Sequence, residues 1–334
     1  MAYITYTLNH MRAVKAWTDA NAATANLDLA NWELEVRCRN RYFRLHPRFR
    51  GRNAGRVFYT HELGEHAVGF IGWLPYRQVR YDLSDDKLVF KSFAAGAGLR
   101  VPARWPAEAP EADYILKRSV GSFGYEIAGP YRAGDAAAYK PAGQRGPEGP
   151  LGEVFAEQFI AGDAVKVWFW GDRAFFAHRQ RWPRVDGDGR TTLRALIAER
   201  AGCAPDAVER LPEVRVLQDA LAYQGVNLFT VLEQGQSAWL DFRYDQTYTA
   251  DKFNAHSDSQ LEELPASARA DIDRIGAVLA QELQQRFSAP VLFAVDGVLD
   301  EKGSMWWLEV NSNPVLPPDG YAQIFTTLFG AQRS

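Results

Sequence analysis

Cysteine is nearly absent from this 334-residue chain: Cys38 and Cys203 stand far apart and without a metal-ligand spacing. That argues against a disulfide framework and suits a reducing cytoplasm, with each cysteine a small buried apolar residue. No uninterrupted apolar stretch approaches bilayer length, and the first residues lack a basic segment leading into an apolar core, so the chain reads as cytoplasmic and free of membrane spans. Basic excess is missing too. A net charge of −3 with 24% charged residues argues against a nucleic-acid footprint or a membrane-attracted surface, so an anionic partner must be met locally. No internal repeat or low-complexity tract stands out, which sets aside solenoids and disordered linkers. What is present is ample apolar content, 47%, in a chain longer than one core usually supports, so two or three packed lobes are expected.

The most informative stretch is residues 306–314, Trp-Trp-Leu-Glu-Val-Asn-Ser-Asn-Pro, read with residues 293–297. An apolar run, a hairpin through residues 300–304 and a second apolar run predict two paired strands. Glu309 and Asn311, two apart, leave their strand on the same face, and Asp296 reaches that face from the partner strand. Two carboxylates and an amide oxygen are the hard donors that Mg²⁺ takes, usually in company with substrate phosphates. The alternative is the polar outer face of a surface hairpin.

Earlier in the chain, residues 9–21 predict a helix, and Cys38 to Leu45 with Phe49, Arg50 and Arg52 forms an Arg-rich, aromatic segment. Such a segment either receives an acidic substrate or pairs with acids on a neighbouring lobe, and the second is the simpler reading. Ser84-Asp85-Asp86 supplies caps for a helix with Leu88, Phe90 and Phe93 as apolar body, stopped by Gly96 and Gly98. The strand Tyr114-Ile115-Leu116-Lys117 then runs into Ser119-Val120-Gly121-Ser122-Phe123-Gly124, where glycines let N–H groups approach phosphate oxygens and a lysine adds a point charge. It is neither a Walker loop nor a dinucleotide fingerprint. Residues 132–150, rich in Gly, Pro and Ala, predict a mobile loop or lid edge. Lys166 interrupts an apolar strand at residues 164–170 and needs an anion there. Asp186-Gly187-Asp188-Gly189 fails as a calcium loop, because Arg190, Thr191 and Ile197 occupy ligand and glycine positions. It reads instead as a turn feeding a helix capped by Thr191 or Thr192, with Leu193, Leu196 and Ile197 facing a core and Gly202 ending it. Residues 269–287 predict an amphipathic helix through Ile272, Ile275, Leu279 and Leu283.

Taken in order, these segments resemble the ATP-grasp superfamily, and within it the branch containing the ATP-grasp domains of cyanophycin synthetase and bifunctional glutathione synthetase. Asp86-Lys87-Leu88 with residues 97–102 is similar to the family's leading lysine segment, and Leu116-Lys117 with Ser119, Gly121, Ser122 and Gly124 to its phosphate-clamping strand and loop. Glu157-Gln158-Phe159-Ile160 resembles the adenine hinge, with Lys166 following the ribose contact and Asp163 taking the acidic role there. Residues 187–197 match the branch's Gly-Asp-Gly signature, and Gln224-Gly225-Val226 with residues 238–243 continues the register. The resemblance covers residue 84 to about 321. It departs at residues 244–251, where the branch has an Asn-rich segment ending in Gly-Gly, and after Asn313-Pro314, so the acceptor side is expected to be altered.

The resemblance implies an α+β ATP-grasp fold with a divergent N-terminal domain at 1–83, a lid-bearing part at 84–155 and a C-terminal lobe at 156–334. It implies a carboxylate–amine ligase that forms an amide through an acyl phosphate, releasing ADP and phosphate, with an amino acid or short peptide among its small-molecule substrates. A phosphotransferase of the same fold and a non-catalytic ATP-binding module are the alternatives. ATP would meet Lys87, Lys117 and Lys166; Mg²⁺, or Mn²⁺ in its place, would meet Asp296, Glu309 and Asn311; Arg243 would orient the carboxylate or the transferring phosphoryl group. Ten tryptophans leave aromatic surface for an interface such as a homodimer's.

Overall fold

The computed structural model describes residues 7–53, 56–120, 127–135, 152–211, 214–244 and 259–330. Helix α1 (Thr7–Ala20) precedes the antiparallel strands β1 (Thr24–Leu27), β2 (Leu34–Cys38), β3 (Arg41–Asn53), β4 (Arg56–Thr60) and β5 (Ala67–Leu74). The long β3 pairs with β2, β4 and β5, and register shifts at Arg48/Phe49 and Arg50/Gly51 bend it along the way. After the single turn α2 (Asp82–Asp85), helix α3 (Lys87–Gly96) begins at Asp86, whose carboxylate accepts from Leu88 N–H at 2.7 Å and Val89 N–H at 3.4 Å.

Strands β6 (Arg104–Pro106), β7 (Tyr114–Arg118), β8 (Ile127–Tyr131) and β9 (Val154–Gln158) form a second antiparallel sheet in the order β6-β9-β7-β8. Next come β10 (Gly162–Trp170) and β11 (Arg173–Gln180), followed by a small unit of β12 (Arg184–Asp186), α4 (Leu193–Ala201), α5 (Val214–Tyr223) and β13 (Ser237–Trp239). That unit has its own core of Leu193, Ile197, Val208, Leu217, Leu221 and Leu240. Gly202, at φ +65°, ends α4 in the left-handed conformation a glycine tolerates. The expected hydroxyl cap is not made. Thr192 sits at the helix start with no side-chain capping bond, while Thr191 Oγ1 donates to Asp188 at 2.7 Å and tightens the turn instead.

Helix α6 (Ala266–Gln284) then buries Ile272, Ile275, Leu279 and Leu283, the stripe its spacing predicts. Strands β14 (Leu292–Asp300) and β15 (Met305–Asn311) and helix α7 (Gly320–Phe329) close the chain. The third sheet, β11-β10-β14-β15, is covered on both faces. Val165, Val167, Phe169, Phe293 and Val295 belong to the core that holds Phe90 and the α6 stripe. Trp168, Trp170, Leu292 and Ala294 belong to the core shared with α1, the N-terminal sheet and α7. Burial on both faces explains the near-continuous apolar runs of β10 and β14. The fold is α+β, and among the described residues no helix is long and apolar enough to cross a membrane.

Candidate functional site

The apolar face that carries Trp168, Trp170, Leu292 and Ala294 turns polar one step further along each strand. His178, Lys166, Asp296 and Glu309 are successive register partners across β11, β10, β14 and β15, so the four side chains form a row over the sheet. Lys166 Nζ donates to both Asp296 oxygens at 2.7 and 3.0 Å, supplying the anion that a lysine on a half-buried strand requires. Asn311, two residues beyond Glu309 on the same face, donates its Nδ2 to Asp296 Oδ2 at 2.8 Å. A bulge at Asp296/Gly297 makes Glu309 the direct partner of Asp296. A Cβ at Gly297 would come within 3.0 Å of Met305, Trp306 and Trp307 atoms, so the smallest residue belongs at that bulge.

From helix α3, Lys87 Nζ reaches Glu309 Oε2 at 3.2 Å. Burial raises the proton affinity of Glu309, but Lys87, Lys117 and Lys166 together overcome it and hold the carboxyl down to about 2. Asp296 moves the other way: burial and the neighbouring Glu309 push it up against the pull of Lys166 and Asn311. For Lys166, Asp296 outweighs burial and raises the ammonium. Lys117 of β7 lies behind this row, with its Nζ 2.5 Å from Glu157 Oε1, and Lys91 of α3 meets the other oxygen of the same carboxylate. All three groups are nearly sealed from solvent. Two ammonium groups share one carboxylate, so Lys91 is poorly compensated, and burial drives it down to about 8.

Three hard-oxygen side chains, Asp296, Glu309 and Asn311, thus stand beside three lysines, and the donor set fits Mg²⁺. Among the described residues no group of three or more His, Cys, Asp or Glu gathers as a metal-ligand array. The candidate set is two carboxylates and an amide.

No protein-family model and no curated protein matches the sequence. Among solved structures the chain is similar to a bifunctional glutathione synthetase from Pasteurella multocida, at 14% identity over 96% of this chain and 44% of that one, with a TM-score of 0.39. It is also similar to an L-amino acid ligase from Bacillus licheniformis (14% identity, 72% and 43% covered, TM-score 0.33). A third is a protein from Archaeoglobus fulgidus described as an ATP-grasp superfamily member (11% identity, 75% and 54% covered, TM-score 0.32). The chain is similar in structure to ATP-grasp proteins. It spans about half the length of these three proteins, and at such identities and scores the likeness says nothing of chemistry.

The remaining residues of the ATP-grasp resemblance have separate surroundings. Gly121, Ser122 and Gly124 lie outside the described residues, as do most of residues 132–150 and residues 245–251. Ser119 is buried, and its hydroxyl donates to Asp86 at 3.0 Å, tying the end of β7 to the start of α3. In the expected hinge, Gln158 N–H donates to Ala103 and Phe159 N–H to Asp113, each at 2.8 Å, while Glu157 turns its side chain to the two lysines. The next residue along, Ile160, is half-buried and lies two residues past the end of β9. The Phe159 ring stacks on Trp182 and Trp239, with Tyr223 and Phe242 edge-on. Asp163 is engaged by Arg179 at 2.6 Å rather than standing open for a ribose. Arg243 is buried and gripped on two sides by Asp241, at 3.0 and 2.8 Å.

Lys91 and His178 stand beside the site without a sequence motif that marks them, and Tyr244 is marked only as the first residue of the divergent segment 244–251. Lys91 follows Lys87 by four residues, which places both on one helix face. His178 is hydrogen-bonded through Nδ1 to Tyr244 Oη at 2.8 Å, and only strand register puts it beside Lys166.

Proposed function

We propose that the chain is an ATP-dependent carboxylate–amine ligase of the ATP-grasp type, forming an amide by way of an acyl phosphate. The observation that carries this reading is the set of contacts around one pair of facing acids: Lys87 meets Glu309 at 3.2 Å, Lys166 meets Asp296 at 2.7 Å, and Asn311 donates to the same Asp296 at 2.8 Å. A carboxylate that attacks a triphosphate must approach a polyanion, and fixed cations lower that repulsion in the transition state most of all. Asp296, Glu309 and Asn311 would hold Mg²⁺, and a bound ion supplies further neutralisation at phosphate oxygens. Without substrate each lysine is matched by an acid, so phosphate oxygens would exchange with these carboxylates as lysine partners instead of meeting bare charges.

The reaction balances in two steps. The substrate carboxylate oxygen bonds to the γ-phosphorus as the bond to ADP breaks. The amine nitrogen then bonds to the carbonyl carbon, phosphate departs and the amine gives up a proton. Arg243, fixed by Asp241, is suited to orient a carboxylate or phosphoryl group. In this reading residues 84–155 and 156–334 clamp the nucleotide, and residues 1–83 border the acceptor.

The test measures ADP release with Mg²⁺, ATP and a panel of amino acids and dipeptides, with hydroxylamine as a trap and mass spectrometry of products. A hydroxamate is expected. A stable phosphorylated product in its place marks a phosphotransferase. Glu309→Ala and Asn311→Ala should each abolish turnover while unfolding stays cooperative, and full ADP release by both overturns the metal assignment.

A further inference from the structure

Amide formation releases a proton, and four titratable side chains stand in one row over the sheet: His178, Lys166, Asp296 and Glu309. Three of them are committed. Lys166 directs its ammonium to both oxygens of Asp296, Asp296 also accepts from Asn311, and Glu309 meets Lys87. His178 differs. Its Nδ1 lies 2.8 Å from Tyr244 Oη, and among the described residues no group bonds to its Nε2.

Tyr244 fixes this histidine within the candidate site by contact as well as by register. Its ring stands edge-on to the imidazole, with centroids 5.5 Å apart, and the centroid of the same ring lies 5.7 Å from Lys166 Nζ. His178 and Tyr244 are both half-buried. An imidazole whose Nδ1–H donates to Tyr244 Oη keeps its lone pair on Nε2, the tautomer that a base requires. Burial holds the proton affinity of His178 below its ordinary 6.5, which leaves the ring neutral at pH 7. The charged groups on its face are Lys166, Asp296 and Glu309 of the neighbouring strands, and Tyr244 is the other titratable group there. Arg179, one residue on, turns to the opposite face and pairs with Asp163.

We propose that His178 is the base of amide formation, taking the proton of the attacking amine on Nε2, and that Tyr244 is its positioning residue. The assignment rests on the ligase reading. In this step the amine nitrogen bonds to the carbonyl carbon, and the bond from that carbon to the phosphate oxygen breaks, its electron pair leaving with phosphate. The amine proton moves to Nε2, and the imidazolium then returns it to water. Attack of the substrate carboxylate on the γ-phosphorus moves no proton, so it makes no such demand on His178.

The test compares two nucleophiles on the full chain with ATP, Mg²⁺ and the panel of amino acids and dipeptides. The panel's own amines give amide, and hydroxylamine, uncharged and strongly nucleophilic at neutral pH, gives hydroxamate. In His178→Gln the ratio of amide to hydroxamate should fall by about a hundredfold or more. The wild-type amide rate should climb through the imidazole titration below pH 6.5, whereas His178→Gln should lose that limb and climb only where the amine itself deprotonates. Tyr244→Phe keeps the ring and removes the hydroxyl, and it should lower the ratio by about tenfold and displace the limb. Imidazole in solution should restore part of the amide formation in His178→Ala, and thermal unfolding checks that each variant folds. A folded His178→Gln protein with the wild-type ratio overturns the assignment and leaves the ligase standing, as does an equal loss of both products. Absence of both products in the wild type overturns the ligase reading and this assignment with it.

Discussion

Asp296 and Glu309 face each other as direct partners on adjacent strands, yet their acidities are driven apart, Asp296 upward and Glu309 down to about 2. Two carboxylates at one place repel, and the lysines resolve the conflict unequally: Lys87, Lys117 and Lys166 all act on Glu309, while Asp296 has Lys166. A divalent cation would relieve the residual repulsion. Mg²⁺ alone should therefore raise the unfolding midpoint, with a stabilisation of about 1.4 kcal/mol at ten times its Kd, and EDTA should reverse it. Asp296→Asn or Glu309→Gln should abolish the effect. A midpoint indifferent to Mg²⁺ in the wild type would refute the site.

The same pair sets an acid limb of stability. Glu309 has a folded value below its ordinary 4.5, so it contributes stability that is complete above about pH 4.5 and lost as pH falls toward 2. Asp296, raised above 3.8, runs oppositely, since its ionisation in the fold costs stability as pH climbs past 3.8. Urea unfolding between pH 4.5 and 2 should show a shallower loss in Glu309→Gln than in the wild type. Identical slopes would show that the lysines do not hold Glu309 ionised.

Glu157 is the sole acid shared by Lys91 and Lys117 among the ion pairs of the described residues. Glu157→Gln leaves two buried ammonium groups together and should cost about 3–5 kcal/mol. Lys91→Met should cost far less, and adding it to Glu157→Gln should recover part of the loss. Denaturant unfolding of the two single variants and the double variant closes the cycle. Additive losses would mean that Lys91 and Glu157 are uncoupled.

Much of the central site is legible in sequence because strand spacing is a local property. A hairpin between two apolar runs suffices to place Asp296, Glu309 and Asn311 on one face, and the β14–β15 register bears this out. The requirement that Lys166 find an anion is equally local, although the identity of Asp296 as its partner depends on β10 lying beside β14. Non-local pairings are what stayed hidden. Lys91 looks like one more polar helix residue until β7 and β9 bring Lys117 and Glu157 beneath it. In the Arg-rich segment, Arg44 does find acids, Glu33 and Glu35, whereas Arg48 finds backbone carbonyls some 265 residues away in sequence. The hydroxyl cap expected of Thr191 or Thr192 went to the turn because Asp188 stands three residues before Thr191.

Gly72 tests how tightly the N-terminal sheet fixes the segment after β15. Its φ is +119°, and a Cβ there would stand 2.8 Å from Leu316 Cβ, while Leu316 N–H donates to the adjacent Ile71 carbonyl at 3.1 Å. Gly72→Ala therefore combines backbone strain with a clash that has no flexible side-chain end to yield, and should cost about 2–4 kcal/mol. Gly96→Ala is the matched control. Beyond the chain neighbours and the backbone of its own helix, nothing lies within 4 Å of the added methyl at the exposed end of α3, and the lost freedom of the unfolded chain should stabilise by about 0.5–1 kcal/mol. Because Leu316 lies five residues past Asn311, displacing it should also weaken Mg²⁺ binding in Gly72→Ala and leave it unchanged in Gly96→Ala. Thermal unfolding with and without Mg²⁺ measures both effects, and a Gly72→Ala protein as stable as the wild type would show that residues 313–316 are not clamped against β5.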